Sequence, residues 1–178
     1  MLGTRIILLG MAGVPSGAGA QPNAEMICAA NHAIPFFWLL LFSTDELERF
    51  VVGESDEVFL THVKGSTYPI LVAERSCIQV RLELRYQQLK GLISQEDDAL
   101  LQRWIAFVTA LNYPVLAIDT YELWSSMAEP DSLYDEIAAV LRGFEALTME
   151  DADVQLQHWI DDKRWPVNNS IALAGFGW

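Results

Sequence analysis

Residues 34–42 read Ile-Pro-Phe-Phe-Trp-Leu-Leu-Leu-Phe, with no charge anywhere in the run. A stretch this apolar has to be buried, and the rest of the chain has to supply the cover. It is far shorter than the ~20 residues a membrane-crossing helix needs, and Pro35 interrupts it. Its short, unbroken, aromatic character favours a strand buried on both faces over a buried helical turn, which periodicity alone does not distinguish from it. The cover is available. The chain has 178 residues, 52% of them hydrophobic, with six Trp and eight Phe. That is enough for a sizeable core and excludes general disorder.

The segments after the run alternate between helical and strand patterns. Ser43-Thr44-Asp45-Glu46 has the form of a capping box, which predicts a short helix to about Val52, stopped by Gly53. Residues 58–63 suit a strand. Pro69 then predicts the start of a long helix over 70–93. One apolar stripe on it is Leu71, Ile78, Leu82, Leu89 and Ile93, and a second is Ala73, Cys77, Val80 and Leu84. Ser94 followed by Glu96, Asp97 and Asp98 predicts a capped helix whose core face is Leu100, Leu101, Trp104, Ile105, Val108 and Leu111. Residues 115–118 are a buried strand, extended in part through 119–124. Pro130-Asp131 opens a helix with Leu133, Ile137, Val140, Leu141, Phe144 and Leu147 inward. A short helix over 151–161 and a strand over 170–176 complete the pattern. The fold class this implies is α+β, a single domain with helices packed on a small mixed sheet.

Residues 1–25 stand apart. Arg5, the apolar stretch 6–14 and Ala18-Gly19-Ala20 have the layout of a secretory signal. The competing reading is an over-extended start, with Met26 opening the protein proper. Both readings set residues 1–25 outside the fold and leave 26–178 as the domain. The first implies a periplasmic or secreted protein, exported through residues 1–20. The second, which is preferred, implies a cytoplasmic one. The two cysteines, Cys28 and Cys77, fit one disulfide or two thiols equally well.

The formal charge is −13, and it is unevenly placed. Residues 1–94 hold nine acidic and seven basic groups, a net of −2. Residues 95–178 hold fifteen and four, a net of −11. Such a field repels nucleic acid and anionic membranes and favours a basic protein partner. Motifs for chemistry are sparse. Asp119 follows a buried strand, where clefts open, and Glu122 lies three residues on. With His158 they are the candidates for acid–base work, though Asp-Thr after a strand also suits an ordinary turn. Cys77, with His62 or His158, has the residue types of a nucleophile pair, but its place on an apolar stripe predicts a buried structural thiol. Arg81 and Arg85 lie one turn apart between two apolar stripes and need partners. Glu74 and the carboxylates of the acidic half are expected there, or else a bound anion. His32, His62 and His158 are scattered, and no metal-ligand spacing or phosphate loop is present, so no cofactor or metal is expected.

The apolar run at 34–42, Tyr68-Pro69-Ile70-Leu71-Val72 and Gly175-Phe176-Gly177-Trp178 resemble a loose group of small uncharacterised bacterial proteins. Some acidic members of that class resemble immunity proteins, which bind and silence a cognate toxin. The resemblance implies a non-enzymatic binding role and carries no functional residues across. The reading that follows is a small acidic protein-binding domain, an immunity-type inhibitor in its most specific form. The alternatives are an enzyme built on Asp119 and an exported protein.

Overall fold

The structure is a computed structural model that describes residues 4–14, 24–52, 65–145 and 174–175. Its five strands are β1 (Arg5–Met11), β2 (Glu25–Asn31), β3 (Leu47–Val51), β4 (Thr67–Glu74) and β5 (Val115–Asp119). They form one sheet in the order β2-β1-β5-β4-β3. All four pairings are antiparallel, so the expected mixed sheet is corrected to an antiparallel one, while the α+β class holds. Five helices accompany it: α1 (Phe36–Leu39), α2 (Arg75–Leu89), α3 (Gln95–Ala110), α4 (Tyr121–Ser126) and α5 (Ser132–Glu145).

The three inner strands explain themselves by alternation. Ile6, Leu8, Leu71, Ala73, Leu116 and Ile118 face the helices and join the main core. Their neighbours Leu9, Met11, Ile70, Val72, Val115 and Ala117 point the other way and form a second cluster. A strand buried on both faces reads as an unbroken apolar run, which is also how a signal sequence reads. That coincidence is why residues 1–25 look separable in the sequence. In the structure Arg5–Met11 lies between β2 and β5, and β2 begins at Glu25. Gly10 fits this role because the Tyr113 ring lies across it: a Cβ there would sit 2.4 Å from the ring.

Two further stretches change class. Residues 70–74 are strand, so the long helix expected from Pro69 begins only at Arg75. Pro69 turns its carbonyl away from β3, and that carbonyl accepts from the Thr120 hydroxyl. Its missing N–H falls on that same side, just past the last β4–β5 pair, Ile70–Asp119. The second apolar stripe of the expected helix is corrected as well. Ile78, Leu82 and Leu89 are buried, but Cys77 is exposed, Val80 is 74% exposed and Leu84 61% exposed. The central run is not a strand. It is a single buried helical turn, α1, with Phe36, Phe37, Trp38 and Leu39 all inside. A lone strand would need a neighbour on each side for its amides. A turn satisfies part of them locally, through Trp38 N–H to Pro35 and Leu41 N–H to Trp38.

Elsewhere the capping box is present, but it closes one 3-10 turn at Thr44–Glu46, after which the chain becomes β3 instead of a helix to Val52. The third and fifth helices form where the periodicity places them. Ser94 accepts from Asp97 N–H at 3.1 Å, and Leu100, Leu101, Trp104 and Val108 face inward. Leu133, Ile137, Val140, Leu141 and Phe144 do the same on α5. Residues 121–126 are helix α4 where part-strand was expected. The strand expected at 58–63 and the helix at 151–161 lie outside the described residues, as does Leu147. Of the strand expected at 170–176, only Ala174 and Gly175 are described. Ala174 is fully buried, and its carbonyl accepts from Trp38 Nε1–H at 3.0 Å.

A chain beginning at Met26 would lack β1 and leave both β2 and β5 without their shared neighbour. It is expected to show no cooperative thermal transition by far-UV circular dichroism. A sharp melt close to that of the full chain would contradict this topology.

Candidate functional site

The densest polar arrangement in the described core is built on α1. The last three carbonyls of α1 each take one backbone N–H, from Leu40, Leu41 and Phe42. The turn lies in the middle of the core, however, where the second lone pairs of Phe37 and Leu39 and the carbonyls of Leu41 and Phe42 just beyond it also call for donors. Long side chains supply the donors. Arg85, only 3% exposed, donates through Nη1 to Leu39 O at 3.0 Å and Phe42 O at 2.6 Å. Arg81 donates to Leu41 O. Trp104 Nε1–H reaches Phe37 O at 3.1 Å, and its ring stacks on Trp38 with centroids 6.3 Å apart. Each donor comes from α2 or α3, so the turn joins the two helices through its own backbone.

The two guanidiniums are then balanced by carboxylates. Arg81 pairs with Glu46 at 2.8 Å, with both side chains largely buried. The same Glu46 accepts from Ser43 N–H at 2.7 Å, so one residue of the capping box is also the counter-ion. Glu145, at the end of α5, accepts from Thr44 N–H at 2.7 Å and Thr44 Oγ1–H at 2.6 Å. Arg85 lies over the Phe144 ring, 4.8 Å from its centroid. Burial pushes the Arg85 pKa down to about 9. The charge of Arg81 adds to that, and Glu145 and Glu46 oppose it. Arg85 therefore remains a cation at neutral pH. Glu74 is not in this cluster. It is the exposed last residue of β4, paired with Val115. Every guanidinium contact described for Arg81 and Arg85 is with this chain's own carbonyls, carboxylate, hydroxyl and ring.

The strand-end carboxylates are both engaged by other groups of the chain. Asp119 Oδ1 accepts from Tyr121 N–H at 2.9 Å, a local turn that starts α4. Glu122 accepts from Arg5 at three points: the backbone N–H at 3.0 Å, Nε at 3.0 Å and Nη2 at 2.7 Å. Arg5, which the sequence presents as part of a leader, is thus the residue that ties α4 to β1. Its side-chain hydrogen bonds lower the Glu122 pKa, partly opposed by burial. His158 and His62 lie outside the described residues. His32 has a left-handed backbone, φ 68°, and its Nδ1 is 2.6 Å from Thr4 Oγ1, closing the end of β2 against the start of β1.

Cys28 and Cys77 are free thiols. Cys28 is half-buried in β2, and burial raises its pKa away from reactivity. The buried role expected for Cys77 is corrected: it faces solvent on α2. Among the described residues no three His, Cys, Asp or Glu side chains converge on a metal-sized site. A groove of about 440 Å³ runs between α2 and α3, with Leu82 and Ile105 beneath and Gln79, Glu83, Tyr86, Gln87 and Thr109 around it. Glu83 is its one charged group.

The remaining feature is the acidic surface. Between Arg103 and Arg142 the chain has six carboxylates and no Lys or Arg. Two are the engaged Asp119 and Glu122. The other four, Glu129, Asp131, Asp135 and Glu136, are exposed at and around the start of α5. The sequence shows this charge imbalance. It does not show Glu46 and Glu145 as the residues that balance and frame the arginines, because those contacts bridge 35 and 101 residues.

Arg85→Leu leaves the Phe42 carbonyl without its described donor inside the core. Equilibrium denaturation should show a loss of about 2–4 kcal/mol, with Arg85→Lys recovering only part of it. A variant as stable as the parent would remove Arg85 from this role. The Glu122–Arg5 contribution should follow pH in a defined direction. Because the folded pKa is lowered, the stabilisation is complete above the ordinary glutamate range and disappears as pH falls through the folded value. Both side chains are well hydrated, at 57% and 31% exposed, so the effect stays below about 1 kcal/mol. Glu122→Gln should lower the melting temperature slightly at pH 7 and by less as the pH is lowered through and below the glutamate range, and an equal shift at every pH would contradict it.

Compared with known proteins, the chain matches no family model, no curated protein and no solved structure.

Proposed function

We propose that this protein is a non-enzymatic binding domain whose partner is a basic protein, with an immunity-type inhibitor of a toxin as its most specific form. The observation that supports this reading is the contrast among its carboxylates. Asp119, Glu122, Glu46 and Glu145 each hold a backbone group or a cation of the chain itself. Glu129, Asp131, Asp135 and Glu136 are left exposed in a stretch with no basic residue to neutralise them. A concentration of exposed negative charge speeds encounter with a cationic surface and disfavours anionic ones. The enzyme reading loses its motive, because Asp119 and Glu122 serve as a turn and a clasp. Among the described residues no helix is long and apolar enough to cross a membrane. A cytoplasmic setting is the one proposed with this reading.

The test is capture from a lysate of the native host on the immobilised full chain. A basic protein should be recovered at about 50 mM salt and released by about 0.5 M, where the Debye length falls to a few ångströms. The Asp131→Lys/Asp135→Lys/Glu136→Lys variant, folded by circular dichroism, should recover roughly tenfold less. Failure to recover any protein at low salt, or recovery indifferent to salt and to these substitutions, would overturn the proposal.

A further inference from the structure

The two ends of the described sheet are chemically different. β3 closes one end with Leu-Glu-Arg-Phe-Val, where Glu48 and Arg49 are exposed and Arg49 lies over the Tyr134 ring at 4.0 Å from its centroid. Charged side chains on an outer strand discourage another strand from adding to it. β2 closes the other end and lacks this protection. From Met26 to Ala30 it reads Met-Ile-Cys-Ala-Ala, with no charge and no proline. Its one acid, Glu25, is held by the Tyr113 hydroxyl, which raises the tyrosine pKa. Met26 is 61% exposed, and within β2 only Ala30 is buried.

We infer that β2 is a self-pairing edge, and that a second copy of this chain adds to it antiparallel about a two-fold axis. The occupant is argued from charge. In a chain of net −13, two copies meet only where neither presents its acidic side. The acidic helix α5 packs against β4 and the 3-10 turn, toward the β3 end of the sheet. Joining two sheets through β2 therefore places the two acidic helices at opposite outer ends. Any pairing through β3 would bring them together. The register is limited by a bulge: Leu8 pairs with Cys28 and Leu9 with Met26, so Ile27 is an extra residue. The regular run beyond it is Cys28 to Asn31. A two-fold axis normal to the sheet sets each residue against a residue of the same face. Within that run Ala29 therefore opposes the second copy's Ala29 and Cys28 opposes its Ala30, small residues that allow close approach. This contact is separate from the acidic surface proposed above, and salt distinguishes the two. Screening weakens binding to a basic partner and strengthens association of like-charged copies.

The experiment is light scattering of the full chain across concentrations up to about 0.5 mM, the range suited to so short a ladder. Twice the chain mass of 20.0 kDa is expected at the upper end, with the transition at lower concentration in about 0.5 M salt than in 0.05 M. Ala29→Lys, which puts a charge beside the axis, should be monomeric throughout with its circular dichroism unchanged. Should that variant fail to fold, amide hydrogen exchange on the parent decides. Residues 25–31 should slow severalfold between dilute and concentrated samples, and residues 47–51 should not. A mass of 20.0 kDa at every concentration and salt overturns the inference. So does a folded Ala29→Lys variant that remains dimeric, or a dimer in which residues 25–31 exchange at the monomer rate.

Discussion

The fold depends on a solution to one problem: what to do with the backbone carbonyls of a helical turn placed at the centre of a hydrophobic core. A buried carbonyl without a donor is costly, and the backbone bonds of α1 reach Phe37, Trp38 and Leu39, while the described donors to Leu41 and Phe42 beyond it are side chains. The chain answers with Arg85 and Arg81, whose stems run through apolar surroundings and whose heads carry several N–H groups in one plane. The charge this brings inside must then be balanced, so Glu46 has to lie beside Arg81 and Glu145 has to frame the adjoining turn. Through these contacts the apolar run at 34–42, helix α2, the 3-10 turn and the end of α5 become one unit. The sheet supplies area, and the arginines fix how the helices sit on it.

The same economy of side chains shapes the functional reading. Groups that look catalytic in the linear sequence turn out to hold the frame. Glu122 fastens α4 to the start of β1, and Asp119 begins α4 by accepting a neighbouring amide. What is left for a partner is charge and shape: exposed carboxylates near α5, a shallow groove between α2 and α3, and a neutral outer strand. The proposed binding role draws on these features.

Helices whose apolar residues recur on one side only are legible in the sequence, and α3 and α5 form where that recurrence places them. Strand β5 is legible because a short apolar run is bounded by Pro114 and Asp119. The difficult stretches are those buried all round. Arg5–Met11, residues 70–73 and residues 34–42 are alike in composition, yet they become a strand, a strand and a turn. Periodicity carries no information when every side faces the core, and the outcome is set by neighbours far along the chain. The arginine cluster was half visible for the same reason. Spacing shows that Arg81 and Arg85 point inward together, but their acceptors are backbone atoms, which have no sequence signature, and their counter-ion Glu46 is 35 residues away. Glu74, nearer in sequence, belongs to a strand and points elsewhere.

The hydrogen bond from Trp38 to the carbonyl of Ala174 has a consequence for how the protein is made. It joins positions 136 residues apart, and Gly175 presses on the same indole with a left-handed backbone, so close that a Cβ would lie 2.7 Å from the ring. During synthesis the β1–β2 ladder needs only the first 31 residues, but Ile7 then waits for Asp119 and Trp38 waits for Ala174. Until residue 174 has been made, the most apolar segment lacks this contact. The core is therefore completed through a contact of very long sequence separation, the kind that costs most chain entropy to form.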